Sequence, residues 1–218
     1  MGTWDIQNWG QISYAQAIKQ MQVLHAKRVK KEISDTLLLL QHDPVITKGR
    51  RLEGEAVPDE KNILKKGIAI EQTDRGGLLT YHGPGQVVIY FVFCVEDYFS
   101  GVVVMVQEIE KVLLNFLKVY GVKAQIRKDH PGIWIEEKKI ASIGLRVSQG
   151  VTRHGIAFNI ANDLLVYDLF NPCGLSGNVM TSLSQILKKT FSEKEVWYLG
   201  EHLVNLYQEG FQNGKTVS

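Results

Sequence analysis

The sequence predicts a single α/β domain: a mixed, largely antiparallel central sheet flanked by helices. Three observations lead there. Apolar residues recur at helical spacing near both ends of the chain. Strand-type runs and tight turns dominate its middle. Helices do not alternate regularly with strands, as a doubly wound parallel sheet would require. The 218 residues, 44% hydrophobic and 22% charged, are enough for a continuous core. No internal repeat or low-complexity linker divides them, so the domain is read as residues 1–218.

Ile12, Ala15, Ile18, Met21 and Leu24 predict an amphipathic helix over 12–30, closing on the basic run Lys27–Lys31. Residues 36–40 form a short apolar run and read as a buried strand. Asp43-Pro44 marks a turn, 45–47 resumes a strand, and 49–58 reads as an exposed loop. A short helix over 59–66 ends at Gly67. Strands follow at 68–72 and 86–94, the last rich in Val, Ile, Tyr and Phe, with 78–82 between two glycine-rich segments. Ser100 is the expected cap of a helix over 101–120 that Gly121 ends. Short strands are predicted at 124–127, 133–135, 140–147 and 155–160, with Glu136–Lys138 as a hairpin tip. Residues 168–177 read as a loop and 182–189 as a short helix. Ser192 with Glu195 matches a capping box, and Val196, Leu199, Leu203 and Leu206 continue a helix from it. The polar tail 213–218 is expected to fray.

The net charge of +2 gives no bulk attraction for nucleic acid. The longest apolar run, 87–95, is far short of a membrane span, and residues 1–10 have no apolar signal core. Two cysteines, Cys94 and Cys173, do not make a disulfide scaffold, so a cytoplasmic protein is expected. The six histidines are scattered, without zinc-type spacing, and no metal is expected.

Four segments contain residues fit for chemistry. In the stretch 75–86, four glycines let the backbone approach a ligand, while Arg75, Thr80, Tyr81, His82 and Gln86 offer polar contacts. A glycine-rich hairpin with a proline turn explains the same residues equally well. At 138–144 a lysine starts an apolar strand, where desolvation would lower its pKa and make it a usable base; two adjacent lysines are more often merely solvated. At 153–159 His154 sits beside Gly155 in a strand. That is the setting of a structural histidine and of a close backbone or ligand approach. At 171–174 Cys173 lies in a turn next to Gly174, more accessible than Cys94 on its hydrophobic strand.

Taken together these segments resemble octanoyltransferases of the LipB type, also called lipoyl(octanoyl) transferases. The resemblance rests on RGGLLTYHGPGQ at 75–86, PGIW at 131–134, KIASIGLRVSQGVTRHGIAFNI at 139–160 and NPCG at 171–174, with HDPVITKGR at 42–50 as a looser match. It implies the fold of the lipoate and biotin protein ligases. It also implies transfer of an octanoyl group from octanoyl-acyl carrier protein to a lysine of lipoyl domains, on E2 subunits of 2-oxoacid dehydrogenases and on the glycine cleavage H protein. The family's catalytic residues fall on Cys173 and Lys139. Its substrate-binding segments fall on Arg75, Gly76, Gly77, Leu78, Leu79, Thr80, Tyr81 and His82, on Ser142, Ile143 and Gly144, and on Gly155, Ile156 and Ala157. No cofactor is implied, since phosphopantetheine belongs to the donor. A monomer is expected.

The residue types suit that reaction. A thiol divides acyl transfer from thioester to amine into two easier steps. A neighbouring ammonium favours the thiolate and relays the proton. Backbone N–H groups near Gly76, Gly77 or Gly144 are candidate oxyanion donors. Gly155 and Ala157 leave room for an aliphatic chain. Arg50, Arg51, Arg146 and Arg153 flank the site and suit an acidic carrier protein. Two rivals stay open: an ATP-dependent lipoate ligase on the same fold, and a non-catalytic module that binds acyl carriers or lipoyl domains.

Overall fold

Two apolar runs, β2 (Thr36–His42) and β6 (Gln86–Val92), are buried at every position. Strands of that kind need cover on both faces, which places them at the centre of a sheet. The computed structural model, which describes residues 4–128, 130–170 and 179–213, builds that sheet from seven strands. They are β1 (Asp5–Ile12), β2, β6, β7 (Gln125–Ile126), β8 (Gly132–Ile135), β9 (Lys138–Ser148) and β10 (Val151–Asn159). Their order is β1-β2-β6-β10-β9-β8-β7, with β1 parallel to β2 and every other pair antiparallel.

Side-chain alternation along β2 and β6 sends successive residues to opposite faces. Leu37, Leu39, Val87, Ile89 and Phe91 join a core built with α3 (Val102–Val119) and α5 (Glu193–Asn213), including Ile109, Leu113, Phe116, Leu203 and Tyr207. Leu38, Leu40, Val88, Tyr90 and Val92 face α1 (Tyr14–Val29) and meet Ala17 and Met21. At the end of α1, buried Arg28 is clamped by Asp35 at 2.7 Å and Asp97 at 2.6 Å. The capping box is present: Ser192 Oγ accepts the Glu195 N–H, and the Glu195 carboxylate accepts the Ser192 N–H at 2.8 Å.

A second, three-stranded sheet in the order β4-β3-β5 comprises β3 (Val45–Lys48), β4 (Ala69–Gln72) and β5 (Leu79–His82). It has its own core, with Ile46, Ile63, Leu79 and Tyr81 against Tyr167, Phe170 and Met180. Two short helices complete the chain, α2 (Glu60–Lys65) beside this sheet and α4 (Leu183–Leu187) before α5.

The sequence reading differs from this in several places, among them the separate three-stranded sheet and the start of β10 at Val151. Strand β1 was not expected: its sequence DIQNWGQI does not alternate cleanly, because it is a half-exposed edge strand with a bulge between Asn8 and Gln11. The cap of α3 is Gly101, without a side-chain bond, rather than Ser100, so the chain enters that helix one residue later. Residues 165–169 form a short 3₁₀ helix that buries Tyr167 and takes in the first two residues of the expected 168–177 loop. Cys94 is only half-buried, at the point where β6 gives way to an isolated bridge with Val151. The remainder of the predicted 168–177 loop beyond Phe170 and the predicted frayed tail beyond Asn213 lie outside the described residues, while Asn213 itself closes α5.

Candidate active site

A cleft opens where the small sheet meets the α1 face of the large one. Its empty space, which includes open solvent, is about 500 Å³. Its walls come from the start of α1, the Arg75–Gly77 turn, β5, β6, β9 and β10.

Arg75 builds one wall of the cleft. Its Nε donates to Thr47 Oγ1 at 3.1 Å, Nη1 to the Gly76 carbonyl at 2.9 Å, and Nη2 to the Thr47 and Leu78 carbonyls at 2.8 Å each. A guanidinium engaged this way locks the glycine turn against β3. The Gly76 N–H points to the Leu145 carbonyl at 3.4 Å, which ties the turn to β9 and engages one of the proposed oxyanion donors.

The floor is low because its side chains are small. Ser142 pairs with Ala157 and Gly144 with Gly155 across β9 and β10. A Cβ on Gly155 would stand 2.0 Å from the Ile89 carbonyl oxygen, so the close approach expected there is one of backbone to backbone. The preceding His154 holds φ of 61°, uncommon for a residue with a side chain. That conformation lets Arg153 and His154 reach the same Asp74 carboxylate, His154 Nε2 at 2.8 Å and Arg153 Nη2 at 2.5 Å. The hydrogen bond from His154, with the charges around it, holds the Asp74 carboxyl down at about 2.

Lys139 and Lys138 separate completely: Lys138 is exposed, whereas Lys139 is 3% exposed and lines the cleft. Burial follows from β9 crossing the cleft at that point, with the Trp134 ring 5.6 Å from Lys139 Nζ. The Lys139 carbonyl accepts the Thr181 N–H at 3.0 Å, and Lys139 bridges Met180.

Tyr14, His82, Tyr90 and His154 line the cleft and, with His42 behind them, form a polar aromatic cluster. His42 Nε2 and the Tyr90 hydroxyl are 2.8 Å apart, His82 Nδ1 meets Gln86 Oε1 at 2.8 Å, and Tyr14 donates to Thr73 Oγ1 at 2.7 Å. Burial drives the His42 pKa down to about 4 and lowers that of His82 well below the usual histidine value. Burial also lowers His154, against the pull of Asp74. All three imidazoles are therefore neutral at neutral pH.

Of the residues singled out from the sequence, Arg75, Gly76, Gly77, Thr80, His82, Lys139, Ser142, Ile143, Gly144, Gly155, Ile156 and Ala157 line the cleft. Leu78, Leu79 and Tyr81 do not. Leu79 and Tyr81 alternate to the other side of β5 and pack in the small sheet's core, and Leu78 contributes its carbonyl to Arg75. Cys173 lies outside the described residues. Tyr14, Tyr90 and His154 line the cleft without having been assigned to it. His154 had a visible signal in its place beside Gly155, whereas Tyr14 and Tyr90 read only as residues of a helix and a core strand. Among the described residues no group of His, Cys, Asp and Glu is arranged to hold a metal ion. No described helix is long and apolar enough to cross a membrane.

Residues 13–198 match the family described as the lipoyl protein ligase A/B catalytic domain. An octanoyltransferase of Dictyoglomus thermophilum is 42% identical over 179 residues, covering 79% of this chain and 73% of that one. An octanoyltransferase of Alkaliphilus metalliredigens is 39% identical, covering 84% and 85%. The mitochondrial octanoyltransferase LIP2 of Arabidopsis thaliana is 33% identical, covering 99% and 92%. Among solved structures, a putative lipoate protein ligase from T. acidophilum with bound lipoic acid superposes with a TM-score of 0.75 at 16% identity, over 97% of this chain and 87% of that one. Biotin protein ligase from Aquifex aeolicus superposes at 0.55 and 13% identity, over 100% and 72%. These two likenesses establish the fold that the sequence resemblance implied.

Proposed function

The chain belongs to the lipoyl protein ligase A/B catalytic family, and from that premise we propose that it is an octanoyltransferase of protein lipoylation, with Cys173 as nucleophile and Lys139 as general acid and base. Octanoyl-acyl carrier protein is the donor. Lipoyl domains of E2 subunits and the glycine cleavage H protein are the acceptors. The enzyme acts as a monomer in the cytoplasm.

The observation that carries this reading is the position of Lys139. It is sequestered in the cleft wall between the small-residue floor and Trp134, and its own carbonyl holds Thr181, eight residues after Cys173. The chain that leads away from the cysteine is thus tied to the lysine's backbone.

In the first step the Cys173 thiolate attacks the donor thioester carbonyl. The donor C–S bond breaks, and the phosphopantetheine thiolate leaves with a proton from the Lys139 ammonium. In the second step a neutral lysine amine of the lipoyl domain attacks the acyl-cysteine. The amide C–N bond forms, Lys139 takes the amine proton, and the Cys173 thiolate is restored. The floor of Ser142, Gly144, Gly155 and Ala157 gives the octanoyl chain an apolar bed. Burying about six methylenes at roughly 0.8 kcal/mol each supplies about 5 kcal/mol. Arg50 and Arg51 are exposed and suit an acidic carrier, whereas Arg153 is committed to Asp74.

Intact-mass spectrometry after mixing with octanoyl-acyl carrier protein tests the reading. An octanoyl adduct on Cys173, absent in Cys173→Ala, is the expected result; an adduct on Cys94 overturns it. The fold is shared with ATP-using ligases, so it does not choose between transfer and ligation. The octanoyltransferase relatives at 33–42% identity favour transfer. ATP-dependent modification of a lipoyl domain with free octanoate would decide for a ligase instead.

A further inference from the structure

We propose that Glu110, on helix α3, is a positioning residue for Lys139: through the Gly132 backbone its buried carboxylate fixes the lysine side chain in the cleft wall and keeps it cationic. The inference rests on Lys139 being the acid and base of the reaction.

Glu110 is out of place by composition. It is 5% exposed on the inward face of α3, beside Met105, Ile109, Leu113 and Phe116. A carboxylate in such surroundings is costly unless its oxygens are engaged. Glu110 Oε1 accepts the Gly132 N–H at 3.3 Å. Gly132 in turn is shaped around the lysine. Its φ of 129° is a glycine conformation, and a Cβ there would lie 2.6 Å from Lys139 Cε and 3.3 Å from Nζ. The lysine therefore runs against bare backbone on one side. On another it faces Trp134, whose ring is held by its own N–H to the His130 carbonyl at 3.0 Å and by Arg127 stacked 4.5 Å above it.

The charges agree with this geometry. Burial pushes the Glu110 carboxyl up, while the Gly132 N–H and the charge on Lys139 pull it back. The influence is reciprocal: an ionised Glu110 favours the ammonium form of Lys139. Among the described residues, Arg127 and His130 lie beyond the Trp134 ring, Arg127 is itself ion-paired with Glu137, and Tyr207 of α5 faces Glu110 from the core. Glu110 is an anionic group placed to favour the ammonium.

The test is the pH profile of kcat/KM for the full chain with octanoyl-acyl carrier protein and a lipoyl domain. Wild type is compared with Glu110→Gln, Glu110→Asp, Lys139→Ala and the control Glu108→Gln on the same helix. Loss of the Lys139 proton sets the alkaline limb. In Glu110→Gln that limb is expected to move down by about one pH unit, lowering the rate on the limb about tenfold and the plateau less. Glu110→Asp keeps the charge and should leave the limb in place. A Glu110→Gln profile that superimposes on wild type, or an Asp variant that shifts as far as the Gln variant, overturns the proposal. Full activity in Lys139→Ala is a different failure, because it removes Lys139 from the mechanism. A second readout needs no folded variant at Glu110. In protein labelled with ¹⁵N-lysine, the Nζ signal missing from Lys139→Ala should show an inflection on the acid side as Glu110 protonates. A flat response overturns the coupling.

Discussion

The two faces of the large sheet are covered in different ways. On the α3 and α5 side, Leu37, Leu39, Ile89, Phe91 and Phe93 meet an almost wholly apolar layer, with Phe91 in ring contact with Phe93, Tyr207 and Phe211. On the α1 side the same strands carry Tyr90 and His42, packed with Tyr14, His82 and His154 and linked by side-chain hydrogen bonds. Apolar packing answers to volume alone. A polar cluster answers also to protonation, and it holds its groups in set directions because each hydrogen bond has one good geometry. The cleft opens on the second face. The first face supplies stiffness from behind, and through Glu110 one polar contact to the wall of the site.

This contrast can be broken by experiment. The largest effect is expected on the apolar face: Phe91→Ala removes a fully buried ring and should cost about 3–5 kcal/mol in chemical denaturation. If the faces differ as described, that cost is the same at pH 7 and pH 5. A cost that changes with pH would mean that the ring's loss is felt by the titrating cluster.

Next in size is acidification. His42 is held neutral with its pKa at about 4, against 6.5 unfolded. The unfolded chain binds this proton first, so the stability contributed is complete above pH 6.5 and is lost as pH falls towards 4. The loss is on the order of 3 kcal/mol. Asp74, held at about 2 against 3.8, adds a further loss below pH 3.8 with the same sign. Thermal melts from pH 7 to pH 4 should show the decline, and His42→Gln should flatten its upper part. An unchanged slope in that variant would assign the acid sensitivity elsewhere.

The smallest effect is expected from Tyr14→Phe. It removes one buried hydrogen bond to Thr73 and should cost about 1 kcal/mol, read as a modest fall in melting temperature. A much larger loss would show that Tyr14 carries the cluster's geometry and not merely one of its bonds.

Much of the fold was legible because its signals are local. The uninterrupted runs of β2 and β6, the capping box at Ser192 and Glu195, and the periodic Val196, Leu199 and Leu203 of α5 each lie within a few residues. Strand β1 was not legible, since a polar edge strand owes its pairing to β2, some thirty residues away in sequence. Within the site, residue types and order were readable. Cleft-facing Thr80 and His82 could not be told from Leu79 and Tyr81, which turn to a second core, because one strand carries both sets and only the layers packed on it assign the sides.

The chain's own order of residues thus settled most of the segments that become helix or strand, β1 excepted, and which side chains are chemically fit for acyl transfer. Tertiary structure alone decided that Lys139 is buried beside Gly132 and Trp134 while Lys138 faces water, and that Arg75 braces the glycine turn against β3. It also brought Tyr14, Tyr90 and His154 to the cleft from three distant elements. Propensity and patterning act over a few neighbours. Burial, hydrogen-bond partners and the protonation they impose are set by residues that meet only when the sheets and helices close on one another.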